Sequence, residues 1–214
     1  MTDNRSPFTG VRPTVFVVDD DASVRKSLSR LLDSLGLITE TYASADEFLK
    51  REHYGGVGCI VLDVRMPGLS GMDLQDELSK ADYSMPIIFI SGHGNIPMSV
   101  RAMKKGAVDF LPKPFDEQEL IDALKKAIEK DRTAKAERTE ARDIQTRIEQ
   151  LTPREYEIFR YVITGMLNKQ IAFKLDIAEK TVKIHRARVF EKLCANSVAE
   201  LVRMAEKAGV EPPD

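Results

Sequence analysis

Two rhythms of apolar positions divide this chain. In its first part, short unbroken apolar runs such as Val15-Phe16-Val17-Val18 and Cys59-Ile60-Val61-Leu62 alternate with amphipathic stretches. A run of four apolar residues bounded by turn signals reads as a strand buried on both faces, which belongs in a parallel sheet. The pattern predicts strands at 14–18, 38–42, 59–63, 86–90 and 107–111, and helices at 22–35, 44–52, 71–80, 97–105 and from 116 onward. Strands alternating with helices in this way give a doubly wound five-stranded parallel α/β sheet over residues 1–128. The punctuation agrees: Gly36 follows the first helix as a C-cap should, and Pro97 and Pro114 stand at or just ahead of helix starts.

The second rhythm is helical throughout. From Pro114 to Pro153 there is neither Gly nor Pro, so the last helix of the first part is expected to run unbroken to about Gln150. Ile121, Leu124 and Ile128 keep a 3/4 spacing, as do Ala141, Ile144, Ile148 and Leu151, with little apolar between the two sets. Residues 129–150 therefore read as a helical linker, either a charged solvated helix or, near 141–151, a short dimeric coiled coil. Thr152-Pro153-Arg154-Glu155 is a capping box with Pro at its first helical position, so a new helix starts there. Tyr156, Phe159, Val162 and Ile163 give it an apolar face, and Gly165 ends it. Asn168 can cap the next helix, which carries Ile171, Ala172 and Leu175. Asp176-Ile177-Ala178 is a short turn before a third helix from Glu179 to about Leu193, and a fourth spans about 197–207. A short helix, a tight turn and a basic helix make a helix-turn-helix, which assigns residues 151–214 to an all-α DNA-binding domain.

Chemistry enters at the strand ends. The first apolar run ends in Asp19-Asp20-Asp21, and Asp63 closes the third predicted strand. In a doubly wound sheet the carboxyl ends of adjacent strands share one crevice. Several carboxylates there repel one another unless a cation sits among them, and hard oxygen donors in a tight site suit Mg²⁺. That combination points to phosphoryl chemistry on an aspartate.

Composition and charge refine this picture. The chain has 214 residues, 43% of them hydrophobic, and no window approaches the ~18 apolar residues of a membrane span. Met1-Thr-Asp-Asn-Arg-Ser has no apolar core of a signal peptide, so a cytoplasmic location is expected. The two cysteines, Cys59 and Cys194, lack the spacing of a zinc site and read as small core residues in a reducing compartment. Residues 1–128 carry 19 acids against 15 bases, residues 129–150 six of each, and residues 151–214 nine acids against 11 bases. Five of those bases lie between Lys180 and Lys192, so the acidic front and the locally basic back address different partners.

The motifs VFVVDDD, IVLDVRMPG, IFISGHG and AVDFLPKPF, in this order and spacing, resemble those of a two-component response-regulator receiver domain, whose fold is CheY/flavodoxin-like. The resemblance covers residues 14–128. It implies that Asp63 accepts a phosphoryl group from the phosphohistidine of a sensor histidine kinase. It further implies that Asp19, Asp20, Asp63 and the backbone carbonyl of Arg65 hold Mg²⁺. Lys113 would pair with the phosphoryl oxygens, Ser91 would hydrogen-bond the aspartyl phosphate, and Phe110 would be the aromatic that follows that movement. Lys113-Pro114 would be a cis peptide. Asp21 reads better as the cap of the first helix than as a metal ligand. Arg65 and His93 are placed to influence water access.

The segment LTPREYEIFRYVITGMLNKQIAFKLDIAEKTVKIHRARVFEKL resembles the LuxR-type helix-turn-helix over about residues 150–205. Receiver, linker and this module together resemble the FixJ/NarL class, and the receiver motifs favour its FixJ branch. The implied function is a phosphorylation-dependent transcription factor rather than an enzyme with an external substrate. Its implied partners are a sensor kinase, double-stranded promoter DNA and RNA polymerase, with homodimerisation on phosphorylation. Placing residues at about 100° each, Val182, Val189 and Leu193 fall on one face of the third helix with His185 beside them as a packing residue. Lys180, Lys183, Ile184 and Ala187 fall opposite, facing a major groove, where Lys183 can reach guanine and Ile184 and Ala187 thymine methyls. Thr181 and Arg188 flank that face and suit phosphates, as does Lys169 on the preceding helix. Ala178 forgoes a side-chain cap, and Ala187 stands where some relatives carry a polar reader.

Two other functions compete. An aspartyl-phosphate phosphatase or mutase would place its nucleophile after the first strand, where this chain has an uninterrupted acidic triplet. A DNA-binding protein controlled only by a protein partner would not need Asp63, Lys113 and Ser91 together.

Overall fold

The computed structural model describes residues 12–81, 83–92 and 96–213. Its first part is a five-stranded parallel sheet of β1 (Thr14–Val18), β2 (Ile38–Tyr42), β3 (Gly58–Asp63), β4 (Ile87–Ser91) and β5 (Asp109–Pro112), in the order β2-β1-β3-β4-β5. Between them run α1 (Ala22–Ser34), α2 (Ala45–Leu49), α3 (Gly71–Lys80) and α4 (Ile96–Lys104), and α5 (Glu117–Glu149) follows β5. The unbroken apolar runs are explained by two-sided burial. Val15, Val17, Cys59, Val61, Ile88 and Ile90 pack with Leu28 and Leu32 of α1 and Leu120, Leu124 and Ile128 of α5. The alternate residues Phe16, Val18, Ile60, Leu62 and Phe89 pack with Phe48 of α2, Leu74 and Leu78 of α3 and Ala102 of α4. β2 lies at an edge and is largely exposed, which is why its sequence is the least apolar.

Two predicted spans shift. β5 starts at Asp109, not 107, because Ala107 still closes α4: its N–H bonds the Ala102 carbonyl at 3.2 Å and the chain turns at Gly106 with φ +92°. α2 stops at Leu49, not near 52, because Arg51 leaves the helix and lays its guanidinium 4.5 Å from the Phe16 ring centroid and 4.3 Å from that of Phe48. The remaining spans agree within one or two residues, and Gly36 has the left-handed φ of +78° expected after a helix end.

The second part contains α6 (Pro153–Val162), α7 (Asn168–Leu175), α8 (Glu179–Lys192) and α9 (Val198–Lys207). Thr152 and Glu155 form the predicted capping box, and Asp176 supplies the left-handed turn between α7 and α8 at φ 51°. Asn168 is the first residue of α7 rather than its cap. The Leu167 N–H is instead satisfied by Gln170 Oε1 at 2.8 Å, while Asn168 Oδ1 accepts from Arg186 at 3.1 Å. Cys59 is buried, but Cys194 is an exposed residue with φ 52° just past α8, not a core residue.

The boundary between the two compact units falls between Lys135 and Ala136, inside α5. Asp131 is 2% exposed and accepts the Gly58 N–H at 2.8 Å and Lys135 Nζ at 2.7 Å, so this stretch belongs to the sheet's own unit. Ile144, Ile148 and Leu151 are buried with Ile158, Phe159, Val189 and Leu201 in the second unit's core. The 3/4 spacing that reads as a coiled-coil seam is therefore occupied by that core, which leaves those side chains no free apolar edge for a partner helix. Among the described residues no helix is long and apolar enough to cross a membrane.

Candidate functional site

β1 and β3 are adjacent in space although β2 separates them in sequence, so the strand order reverses at this pair. Ligand crevices of open α/β sheets form at such points, beyond the carboxyl ends of the strands. Asp19 and Asp63 stand there, 1% and 5% exposed. Lys113, just past β5, bridges them: its Nζ donates to Asp19 Oδ2 at 2.6 Å and Asp63 Oδ1 at 2.7 Å. The Lys113–Pro114 peptide is cis. The second oxygen of Asp63 accepts the Arg65 N–H at 2.6 Å, and the second oxygen of Asp19 accepts the Asp21 N–H at 2.9 Å. Asp21 itself caps α1, accepting from the backbone of Ser23 at 2.7 Å and Val24 at 3.4 Å. These bonds hold its carboxyl below the usual carboxylate range.

The electrostatics of the pair are uneven. Burial pushes the Asp19 carboxyl above its ordinary pKa despite the neighbouring ammonium. Burial also works against the Lys113 ammonium, but its bonds to Asp19 and Asp63 outweigh this and raise its pKa. One ammonium thus shares two buried carboxylates, and the cluster retains negative charge.

That surplus charge and the oxygen-only donor set fit a small, hard divalent cation. Asp20 is exposed beside Asp19, and the backbone of Arg65 comes two residues after Asp63, so the four donors named from the sequence belong to neighbouring strand ends. Among the described residues no three acidic, His or Cys side chains are gathered as a metal cluster.

Ser91 and Phe110 stand on the two strands beyond β3. Ser91 is 1% exposed at the end of β4, and its carbonyl accepts the Lys113 N–H at 2.8 Å. Phe110 on β5 is half-buried, its ring centroid 6.2 Å from that of Phe89. Arg65 is exposed, and His93 lies outside the described residues.

In the helix-turn-helix, Val182 and Val189 are buried while Lys180, Lys183, Ile184, Ala187 and Arg188 are exposed and Thr181 is half-buried. Lys169 on α7 is exposed as well. His185 is half-buried, and its Nδ1 is shielded from solvent without a hydrogen-bond partner. Ala178 precedes α8 without a side-chain cap.

Residues 15–125 match the family described as "Response regulator receiver domain", and residues 149–205 that described as "Bacterial regulatory proteins, luxR family". The chain is a response regulator. It is 50% identical over 196 residues to Nodulation protein W of Bradyrhizobium diazoefficiens, covering 92% of this chain and 86% of that one. Transcriptional regulatory protein FixJ of Rhizobium meliloti is 42% identical over 199 residues, 93% of this chain and 98% of its own. The solved structure of response regulator StyR superposes with a TM-score of 0.84 at 47% identity, covering 92% of this chain and all of that one.

Membership settles the general function. This regulator is a phosphorylation-dependent, DNA-binding transcription regulator of a two-component system, a family not generally enzymatic. The family implies a sensor kinase and DNA as partners, and Mg²⁺ at the receiver's acidic pocket.

Several residues that build these sites carry no sequence signal. Arg25 Nη1 donates to the carbonyls of Asp19 at 2.7 Å and Asp20 at 3.0 Å, fixing the loop that presents both acids. A Cβ on Gly71 would collide with the Asp63 carbonyl, so only glycine lets α3 start against the end of β3. Of the five bases between 180 and 192, two serve the domain itself. Arg186 donates to Met166 O at 3.3 Å and Asn168, and Lys192 to Glu155 at 2.6 Å and Gln150 O at 3.0 Å. An arginine or lysine on a polar helix face reads as solvated whether or not it is.

Proposed function

We propose that Asp63 is the phosphoacceptor of this regulator and that its phosphorylation drives pairing of two receivers. The observation that carries this is the buried Asp19–Lys113–Asp63 bridge at the point where the strand order reverses. A carboxylate oxygen of Asp63 attacks the phosphorus of the kinase's phosphohistidine, the N–P bond breaks, and the imidazole leaves with the bonding pair. Asp19, Asp20, Asp63 and the Arg65 carbonyl are the residues that would hold Mg²⁺, which when bound neutralises charge on the phosphoryl oxygens. Lys113 moves from its carboxylate pair to a phosphoryl oxygen as a point charge. Ser91 donates its hydroxyl to the new phosphoryl group, and Phe110 follows toward the space that Ser91 vacates.

The consequence reaches α4 and β5. Ile96, Val100 and Met103 recur at helical spacing and are 81%, 46% and 45% exposed, an apolar stripe suited to a second receiver. Pairing doubles the contacts made by the helix-turn-helix with a two-fold site, through Lys169, Lys180, Thr181, Lys183, Ile184, Ala187 and Arg188. RNA polymerase is the downstream partner and the cytoplasm the setting of this reading. Sedimentation of the intact chain with and without beryllofluoride and Mg²⁺ tests it. A shift from monomer toward dimer is expected, absent in Asp63→Asn. An unchanged distribution in the wild type would overturn receiver pairing.

A further inference from the structure

Gln75 is a polar side chain set into the receiver's core. It lies on α3 between Leu74 and Leu78, 3% exposed. Its amide nitrogen donates to two carbonyls at the far end of α4, Lys105 O at 3.3 Å and Ala102 O at 3.5 Å. The next residue, Asp76, takes the Lys105 ammonium in an ion pair. α3 therefore holds the closing turn of α4 from inside the core and from its rim. The amide oxygen of Gln75 is left buried without a protein partner. It borders a cavity of about 130 Å³ that Ser79, Lys105, Gly106 and Lys130 also line. A leucine would remove the unpartnered oxygen but would also take the donor from the Lys105 carbonyl, so the amide is explained by what it bonds and not by burial.

The rest of α4 is held differently. Ala102 is its one buried residue among those described, while Ile96, Val100 and Met103 lie open. A helix pinned at its C-terminal turn and, apart from the half-buried Met98, lightly packed elsewhere has the mechanics of a lever. We infer that Gln75 is the positioning residue at the fulcrum of α4. It keeps the Ala102–Lys105 turn on α3 while the remainder of the helix shifts in response to Asp63. This rests on the reading of Asp63 and the α4 face as the two ends of the switch. Without the pin, α4 would float as a whole, and events at Asp63 would reach the pairing face less completely.

The test is hydrogen exchange on the intact chain, with and without beryllofluoride and Mg²⁺, in wild type and Gln75→Leu. Gln75→Met, unbranched and of similar length, serves if leucine does not fold. In the wild type, amides of residues 104–107 should be equally protected in both states, while those of 98–101 should change. Either variant should lose about five- to tenfold of the protection at 104–107 in both states, the factor one buried hydrogen bond supplies. Its beryllofluoride-induced gain in dimer should fall by a similar factor, with acetyl phosphate incorporation unchanged. A merely structural glutamine would slow incorporation or melt the receiver as a whole. A wild type without any beryllofluoride response would overturn both this inference and the switch reading. A normal response that Gln75→Leu leaves unaltered would overturn this inference alone.

Discussion

At the scale of single residues, the two ends of the chain use charge in opposite ways. Asp19 and Asp63 share the single ammonium of Lys113 in a crevice, whereas Glu155 and Lys192 pair one to one to hold α8 on α6. The Lys192 ammonium, with help from the Thr152 backbone, lowers the Glu155 carboxyl to about 2. A carboxylate depressed in the folded state adds stability that is complete above its unfolded pKa, near 4.5, and lost as pH falls through the folded value. Glu155→Gln should therefore cost about 1–3 kcal/mol in urea unfolding of the second unit at pH 7. The gap from wild type should close as pH falls from about 4.5 toward 2; a gap independent of pH would contradict the pairing. On the DNA side, Lys183→Ala should cost about 1–3 kcal/mol on a duplex selected for tight binding and flatten preference at one base pair per half-site. Arg188→Ala should instead weaken selected and scrambled duplexes alike and shrink the salt slope by about one unit. Titrations on both duplexes at several salt concentrations separate the two roles, and equal weakening of both by Lys183→Ala would mean that this side chain faces phosphate.

At the scale of elements, legibility in the sequence follows from how many constraints bear on a residue at once. Asp63 is legible because it closes an apolar run and precedes a Met-Pro-Gly turn. The capping box at Thr152 is legible because Thr, Pro and Glu occupy three linked positions. Asp131 and Gln75 are not legible, because each sits at a position of an amphipathic helix where a polar side chain ordinarily meets water. Only the strand or helix packed opposite turns it into a buried bond, and that neighbour is distant in sequence. The same holds for Ile144 and Ile148. Their 3/4 spacing reports that a face is buried, but not whether the core that buries it is the chain's own. Caps and strand ends misread by a residue or two, as at α7 and β5, trace to backbone N–H groups satisfied by side chains or turns beyond the local pattern.

At the scale of the whole molecule, an acidic receiver and a locally basic helix-turn-helix occupy separate compact units joined within one helix. Dividing the chain this way separates the reaction from its readout. Phosphoryl chemistry needs carboxylates and a cation in a crevice, and DNA reading needs an exposed basic helix face. A two-fold dimer should place its half-site centres about 10 bp apart, or a multiple of that. The central claim is that Asp63 receives the phosphoryl group, and intact-mass spectrometry after acetyl phosphate and Mg²⁺ tests it most directly. The wild-type chain should gain about 80 Da, one phosphoryl group, and fragmentation should place it on Asp63. Asp63→Asn should stay folded and gain nothing, because an amide does not attack phosphorus. Equal incorporation in Asp63→Asn, or a wild-type adduct on another residue, would contradict the account.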